Sequence, residues 1–257
     1  MDVTILGSGG GVPSQTRETS CVLVRDGDSA LLLDAGTGVR RLVADGTLLG
    51  GVTDLQVVLT HFHFDHVCGL PFLSWLCDGA TIWAPGRWLY RRESKAILGS
   101  LRRPPVAPSD VSGAFPIKEL RAGSQEIGPF ELRASPQPRH WAPSAGLRVD
   151  DELAFVTDTP YEASSAELAA GVDYLLHEAW SSSRLPLHPD REATAADAAR
   201  VAVEAGARSL TLIHRNPTLE DRSALLADAT AIFERAALGE DGLLLLREGL
   251  AGSRRPN

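Results

Sequence analysis

The sequence predicts an α/β fold: one domain over residues 1–257, with a sheet-rich core and helices outside. Three observations lead there. Strand-like and helix-like stretches are mixed along the whole chain with no linker between them. The early strands meander, whereas the later ones alternate with helices. At 257 residues and 44% hydrophobic, the chain can bury one full core.

Residues 3–6 and 21–24 read as short strands around the loop Gly7-Ser8-Gly9-Gly10-Gly11-Val12-Pro13-Ser14. Such a run can cradle an anion with backbone N–H groups, but it lacks the Lys-Ser/Thr ending of a phosphate-binding loop, which favours a tight turn. Residues 30–33 form a third strand, ending in Asp34-Ala35-Gly36-Thr37-Gly38, and residues 55–59 a fourth. Helical apolar spacing follows over 67–76 and again over 88–101. Residues 104–112 are rich in Pro and Ser and read as a surface loop. Strand signals return at 115–120 and 130–134, then in a hairpin of 146–149 and 153–156 turned by Asp150-Asp151-Glu152. Residues 172–176 are an apolar strand. An Ala-rich helix over 193–205 ends at Gly206, and a strand follows over 210–213. A helix over 223–237, a strand over 243–246 and a loose tail at 250–257 complete the chain.

Composition excludes several roles. The net charge is −8, and a surface that neutralises many phosphates usually shows as a basic domain or stripe, so no specific nucleic-acid partner is expected. The pairs Arg40-Arg41, Arg91-Arg92 and Arg102-Arg103 read as solvated faces. No stretch approaches the roughly 18 to 20 apolar residues of a membrane helix, so no membrane partner is expected. The first residues carry no basic segment or cleavage site of a secretory signal. Cys21, Cys68 and Cys77 are odd in number and widely spaced, which suits a reducing cytoplasm. Cys68, two residues past His66, is close enough in sequence to approach a metal but reads first as a small buried apolar residue.

The chemistry concentrates in His61-Phe62-His63-Phe64-Asp65-His66, just after the apolar stretch 55–59. Imidazole nitrogen and carboxylate oxygen are first-choice ligands for zinc and its neighbours. On a helix, His61 and His63 would lie about 200° apart and could not share an ion. On a strand, His61, His63 and Asp65 would share a face while His66 pointed away. Only a curled loop lets all four converge. His140, Asp158 and His214 each follow an apparent strand and supply a second set of donors.

Together these stretches resemble the metallo-β-lactamase-fold hydrolases along essentially the whole chain. Leu6-Gly7-Ser8-Gly9-Gly10-Gly11-Val12-Pro13-Ser14, Leu32-Leu33-Asp34-Ala35-Gly36, residues 60–66, Thr157-Asp158-Thr159, His177-Glu178-Ala179 and Thr211-Leu212-Ile213-His214 match in order. The resemblance implies a four-layer αββα sandwich with metals at one edge between two sheets. It implies that His61, His63 and His140 hold one ion, that Asp65, His66 and His214 hold the second, and that Asp158 bridges them. Two Zn²⁺ are expected, with Mn²⁺ or Fe as alternatives for mixed N/O ligands. Ions about 3.5 to 4 Å apart would share a hydroxide nucleophile at neutral pH, with Asp65 able to accept or return its proton. Asp34 is placed either to fix a ligand tautomer or to cap the chain.

Within the superfamily the match is nearest the RNase Z and small-molecule phosphodiesterase branch. Transfer-RNA-processing members insert an RNA-gripping arm between the third His motif and the bridging Asp. Here 17 residues separate His140 from Asp158, and the hairpin uses almost all of them. The branch also places a His-x-Thr at the helix before His214, and this chain reads Glu192-Ala193-Thr194. Glu192 and His188, with His177 and Glu178 beside them, are therefore the catalytic candidates for protonating the leaving group. The expectation is a cytoplasmic, zinc-dependent dinuclear hydrolase acting on a small-molecule phosphodiester, with a homodimer allowed. Aromatic residues near the motifs (Phe62, Phe64, Trp75, Trp141 and Trp180) leave a carbonyl hydrolase of lactam, lactone, thioester or amide as the alternative. A metal-holding sensor with little turnover is the third reading.

Overall fold

A computed structural model describes residues 1–77, 79–106, 115–218 and 222–245. The expected tail at 250–257, residue 246 of the expected last strand and residues 107–112 of the expected surface loop lie outside the described residues. The chain begins with β1 (Asp2–Gly7), β2 (Cys21–Asp26), β3 (Ser29–Leu33), α1 (Arg40–Ala44), β4 (Asp54–Val58) and α2 (Phe64–Val67). Next come β5 (Thr81–Ala84), α3 (Gly86–Tyr90), α4 (Ser94–Leu98), β6 (Ile117–Glu119), β7 (Gly123–Ile127) and β8 (Phe130–Gln137). Then follow β9 (Ser144–Val149), β10 (Leu153–Val156), α5 (Ala163–Leu168), β11 (Tyr174–Glu178), α6 (Ala195–Ala205) and β12 (Ser209–Ile213). α7 (Arg222–Thr230), β13 (Ala236–Leu238) and β14 (Leu244–Leu245) complete the described chain.

Among the described residues the strands form two seven-stranded sheets, ordered β14-β1-β2-β3-β4-β5-β6 and β13-β12-β11-β10-β9-β8-β7. Side chains alternate across a strand, so a strand covered on both faces must be apolar throughout. Ser29–Leu33 shows this well. Leu31 and Leu33 enter the core between the sheets with Leu147 and Phe155, whereas Ala30 and Leu32 pack outward with Leu42 of α1. In the second sheet, Leu153 and Phe155 face the first, and Ala154 and Val156 pack with Ala198 and Ala202 of α6. Helix, sheet, sheet and helix are thus four layers, the αββα sandwich of the metallo-β-lactamase fold.

Strand direction sets where the loops go. β3, β4 and β5 run parallel, as do β10, β11 and β12. β8 runs with β10 because both pair antiparallel with β9. The segments after β8, β10, β11 and β12 therefore leave at one end of the second sheet. Ala145 N–H donates to the carbonyl of Thr60 (3.0 Å), which ties that end to the segment after β4.

Several elements differ from the expectation. The helix at 67–76 is a turn of α2 followed by a 3₁₀ segment, Leu70–Trp75, started by Pro71. The one at 88–101 breaks after α3 because Arg91 adopts φ 54. The helix at 223–237 stops at Thr230, and Ala236–Leu238 instead forms the edge strand beside β12. β5, β7 and α5 are too short for a periodic pattern to mark them. α6 fits the expectation closely, with Gly206 at φ 63 as its C-cap.

At its start the Thr194 side chain accepts from Asp197 N–H, and the Asp197 carboxylate accepts from Thr194 N–H. Both bonds satisfy helix-terminal donors. Thr194→Ala is expected to lower stability by about 0.5–2 kcal/mol, measured as the urea midpoint at constant slope. An unchanged midpoint would show that the cap contributes nothing.

Candidate metal centre

Four chain segments converge at the strand ends. Thr60 and His61 follow β4, and His63 is the N-cap of α2, which puts Asp65 and His66 in its first turn. This is the curled conformation that the spacing requires. His140 follows β8, Asp158 follows β10, and His214 follows β12. Asp158 and His214 both hold left-handed backbone, at φ 55 and 47. Such strain in non-glycine residues costs on the order of 1 kcal/mol or more and concentrates at functional sites. Here it turns both side chains in towards the cleft.

All seven expected donors meet around one carboxylate. Oδ1 of Asp158 lies 3.6 Å from His61 Nε2, 3.9 Å from His63 Nδ1 and 3.3 Å from His140 Nε2. Its Oδ2 lies 3.1 Å from His66 Nε2 and 3.4 Å from His214 Nε2. Oδ2 of Asp65 completes the second set, 3.3 Å from His66 Nε2 and 3.2 Å from His214 Nε2. The two imidazole nitrogens are themselves 3.2 Å apart. Ligands on one tetrahedral zinc, with bonds of about 2.0–2.1 Å, lie about 3.4 Å from one another. The donor set fits divalent ions.

The atoms behind the donors fix which nitrogen faces inward. His66 Nδ1–H donates to Asp34 Oδ2 (2.7 Å), and Asp34 Oδ1 accepts from Thr60 N–H. The Thr60 hydroxyl donates to Asp34, so His61 Nδ1–H donates to Thr60 Oγ1 (2.9 Å). His61 Nε2 is then left as a buried acceptor with no hydrogen-bond partner among the described residues. The carbonyl of Arg191 accepts from His140 Nδ1–H (3.1 Å), which aims its Nε2 at Asp158. Glu178 Oε2 accepts from Asp158 N–H and faces His214 Nδ1 at 3.2 Å, while its Oε1 accepts from Ala193 N–H. These contacts are the outer support that a metal site needs to hold its ligand tautomers.

The glycine loop does more than turn. Gly11 N–H donates to Asp65 Oδ2 (2.7 Å). A Cβ on Gly10 would lie 2.6 to 2.8 Å from three atoms of the His214 ring, so only glycine fits there. Sequence reasoning left these roles unassigned; the signal was the unbroken glycine run itself.

Charge in the cleft is organised as opposed pairs. Burial works against a charge on His66, yet Asp65, Asp158 and Asp34 outweigh it and raise its pKa well above the usual range. Burial likewise opposes charge on His214, and Asp158, Asp65 and Glu178 again prevail. Burial would raise Asp158, but His214, His66 and His61 hold it well below the carboxylate range. His61, dominated by burial and then by its neighbour His66, is shifted down. Protons and a divalent ion compete for these imidazole nitrogens, so metal uptake is expected to weaken as pH falls.

The candidates for leaving-group protonation separate. Glu192 is buried, with Oε2 3.5 Å from His140 Nδ1. Burial first, then Glu178 and Asp158, push its pKa up to about 10. His188 is exposed at the rim, its ring 5.6 Å from that of Trp141. His177 is buried and donates from Nδ1 to the Glu178 carbonyl; it joins none of the converging donor groups.

Comparison with known proteins agrees with this geometry. A profile described as the Beta-lactamase superfamily domain matches residues 30–215, and the chain belongs to that superfamily. It is a metallo-β-lactamase-fold hydrolase near the ribonuclease Z branch. A ribonuclease Z from Synechococcus sp. strain WH7803 is 28% identical, covering 95% of each chain. The metallo-β-lactamase fold protein YhfI from Bacillus subtilis superposes with a TM-score of 0.80 at 21% identity, over 95% of this chain and 98% of that one. A diphosphatase of the PhnP family gives 0.73 at 18%, over 95% and 97%.

The ribonuclease relatives correct one expectation. The absence of a specific nucleic-acid partner was inferred from the −8 charge and the short span before Asp158. Relatives matched along nearly the whole chain are named as ribonucleases, so that exclusion does not stand. Net charge is a sum over the chain and says little about one cleft. Arg139 and Arg191 both lie at this rim, where Arg191 donates to the Arg139 carbonyl. Among the described residues, no helix is long and apolar enough to cross a membrane.

Asp34→Asn keeps the shape but removes the charge that accepts from both His66 and Thr60. Zinc affinity, titrated by calorimetry, is expected to fall about 10- to 100-fold. Wild-type affinity in this variant would show that Asp34 serves the fold alone.

Proposed function

We propose that the protein is a phosphodiesterase with a dinuclear divalent-metal site, acting on a small phosphodiester. The division of donors between the two oxygens of Asp158 carries this reading. His61, His63 and His140 would hold one ion, and Asp65, His66 and His214 the other. Zinc suits the nitrogen-rich set best, with Mn²⁺ or Fe as alternatives. Ions held by these residues would lower the pKa of bound water towards neutrality and neutralise charge on phosphoryl oxygens. Asp65, fixed by Gly11 N–H, takes the proton of the attacking water. Glu192 supplies the leaving-group proton: it is the buried acid in contact with a ligand imidazole, whereas His188 lies outside against Trp141.

The compact β9–β10 hairpin, which occupies the span between His140 and Asp158, supports a small substrate. The ribonuclease Z relatives favour a second reading, cleavage of an RNA phosphodiester. Metal-loaded protein should be assayed in parallel on bis(p-nitrophenyl) phosphate, a chromogenic lactam, a thioester and a precursor transfer RNA. Turnover of the simple diester is expected. Turnover of RNA alone would move the assignment to the second reading, and turnover of the lactam or thioester alone would overturn both.

Asp158→Ala should abolish activity and lose at least one ion, because one carboxylate serves both donor sets. A single tightly held ion in active wild-type protein, by elemental analysis, would defeat the dinuclear assignment.

Glu192→Gln should slow a diester with a poor leaving group about 10²- to 10⁴-fold and matter much less for p-nitrophenolate, which departs without a proton. The same pattern in His188→Ala, and not in Glu192→Gln, would transfer the role to His188. Small, equal effects in both would remove the proton donor from these residues.

A further inference from the structure

At the mouth of the cleft stands a tryptophan with no evident structural duty. Trp141 follows His140 directly and is 61% exposed. It is nevertheless held. The Arg191 guanidinium lies over its ring, 5.2 Å from the centroid, and the His188 ring meets it edge-on at 5.6 Å and 76°. Arg191 is itself anchored, donating to the carbonyls of Arg139 and His140 at 3.2 Å each, while its own carbonyl accepts from His140 Nδ1–H. The His188 carbonyl accepts from the N–H groups of Arg191 and Glu192. The platform is thus fastened to the same backbone that positions a candidate metal ligand.

A large ring left mostly bare is unfavourable in water unless something covers it. A ring braced by a cation and an imidazole, with most of its surface open, has the form of stacking platforms that bind nucleobases without reading their sequence. The guanidinium adds attraction for a negatively charged ligand. We infer that Trp141, braced by Arg191 and His188, is a base-stacking subsite, so that the substrate carries a nucleobase on one arm of its scissile phosphodiester. This deepens the phosphodiesterase reading and rests on it for the placing of the phosphate.

The test is binding, measured by calorimetry on zinc-loaded protein with adenosine 5′-monophosphate and ribose 5-phosphate. The two share a sugar phosphate and differ by the base. Wild type should prefer the nucleotide. Trp141→Ala should weaken the nucleotide roughly 5- to 150-fold and leave ribose 5-phosphate unchanged, with Trp141→Phe retaining most of the preference. Equal affinities for the two ligands in wild type would overturn the subsite. So would an equal loss of both in Trp141→Ala, since that would report a displaced loop. A base preference without turnover of any diester would uphold the subsite and count against the phosphodiesterase reading alone.

Discussion

The organisation of this protein depends on keeping one carboxylate ionised inside the fold. Asp158 is only 2% exposed, and a buried anion is costly unless it is paired and hydrogen-bonded. Here four imidazoles approach its two oxygens within 3.6 Å, and its backbone N–H is itself held by Glu178. The surrounding carboxylates favour the protonated form of His66 and His214, and those imidazoles in turn favour ionised Asp158. The proposed ions would take the same nitrogens as ligands. Asp34, Thr60, Glu178 and the Arg191 carbonyl face the outer side of these four rings, which leaves the inner nitrogens turned towards Asp158.

The fold supplies this arrangement through strand direction. Parallel strands deliver their carboxyl ends to one side, where ligand sites on layered α/β proteins collect. The strained backbone at Asp158 and His214 and the close approach of Gly10 to the His214 ring supply the final adjustment. Cations and anions then sit close enough for burial to strengthen their attraction instead of merely penalising it.

Much of this was legible in the sequence. The run from His61 to His66 excluded a single regular helix or strand by geometry; the observed run is a loop up to His63 that turns into the short helix α2, which carries Asp65 and His66. β3 and α6 were readable because a five-residue apolar strand and an Ala-rich helix with a capping box are locally self-consistent. β5, β7 and α5 were not: they are about as short as β3 but lack its unbroken apolar run, and four to six mixed residues such as GSQEI or ASSAEL show no clear period. Nor was the break at Arg91 visible: left-handed backbone at an arginine reflects tertiary packing and not local preference. The glycine loop was misjudged for a related reason. Its purpose is to make room for an imidazole far away in the chain, which spacing alone cannot reveal. Net charge misled about partners because it averages over a surface on which only one rim matters.

The two sheets draw on different parts of the chain. The first is built almost entirely from residues before 120, with β14 added from the far end, and the second from residues 123–238. His61, His63, Asp65 and His66 belong to the first region, and His140, Asp158 and His214 to the second. Neither donor set can be completed by one region alone. A chain emerging from the ribosome therefore has no finished centre until His214 has been made and both sheets have docked. In the proposed centre, cofactor loading would then be the closing step of maturation, and an ion captured there would act as a clasp across the seam between the two sheets.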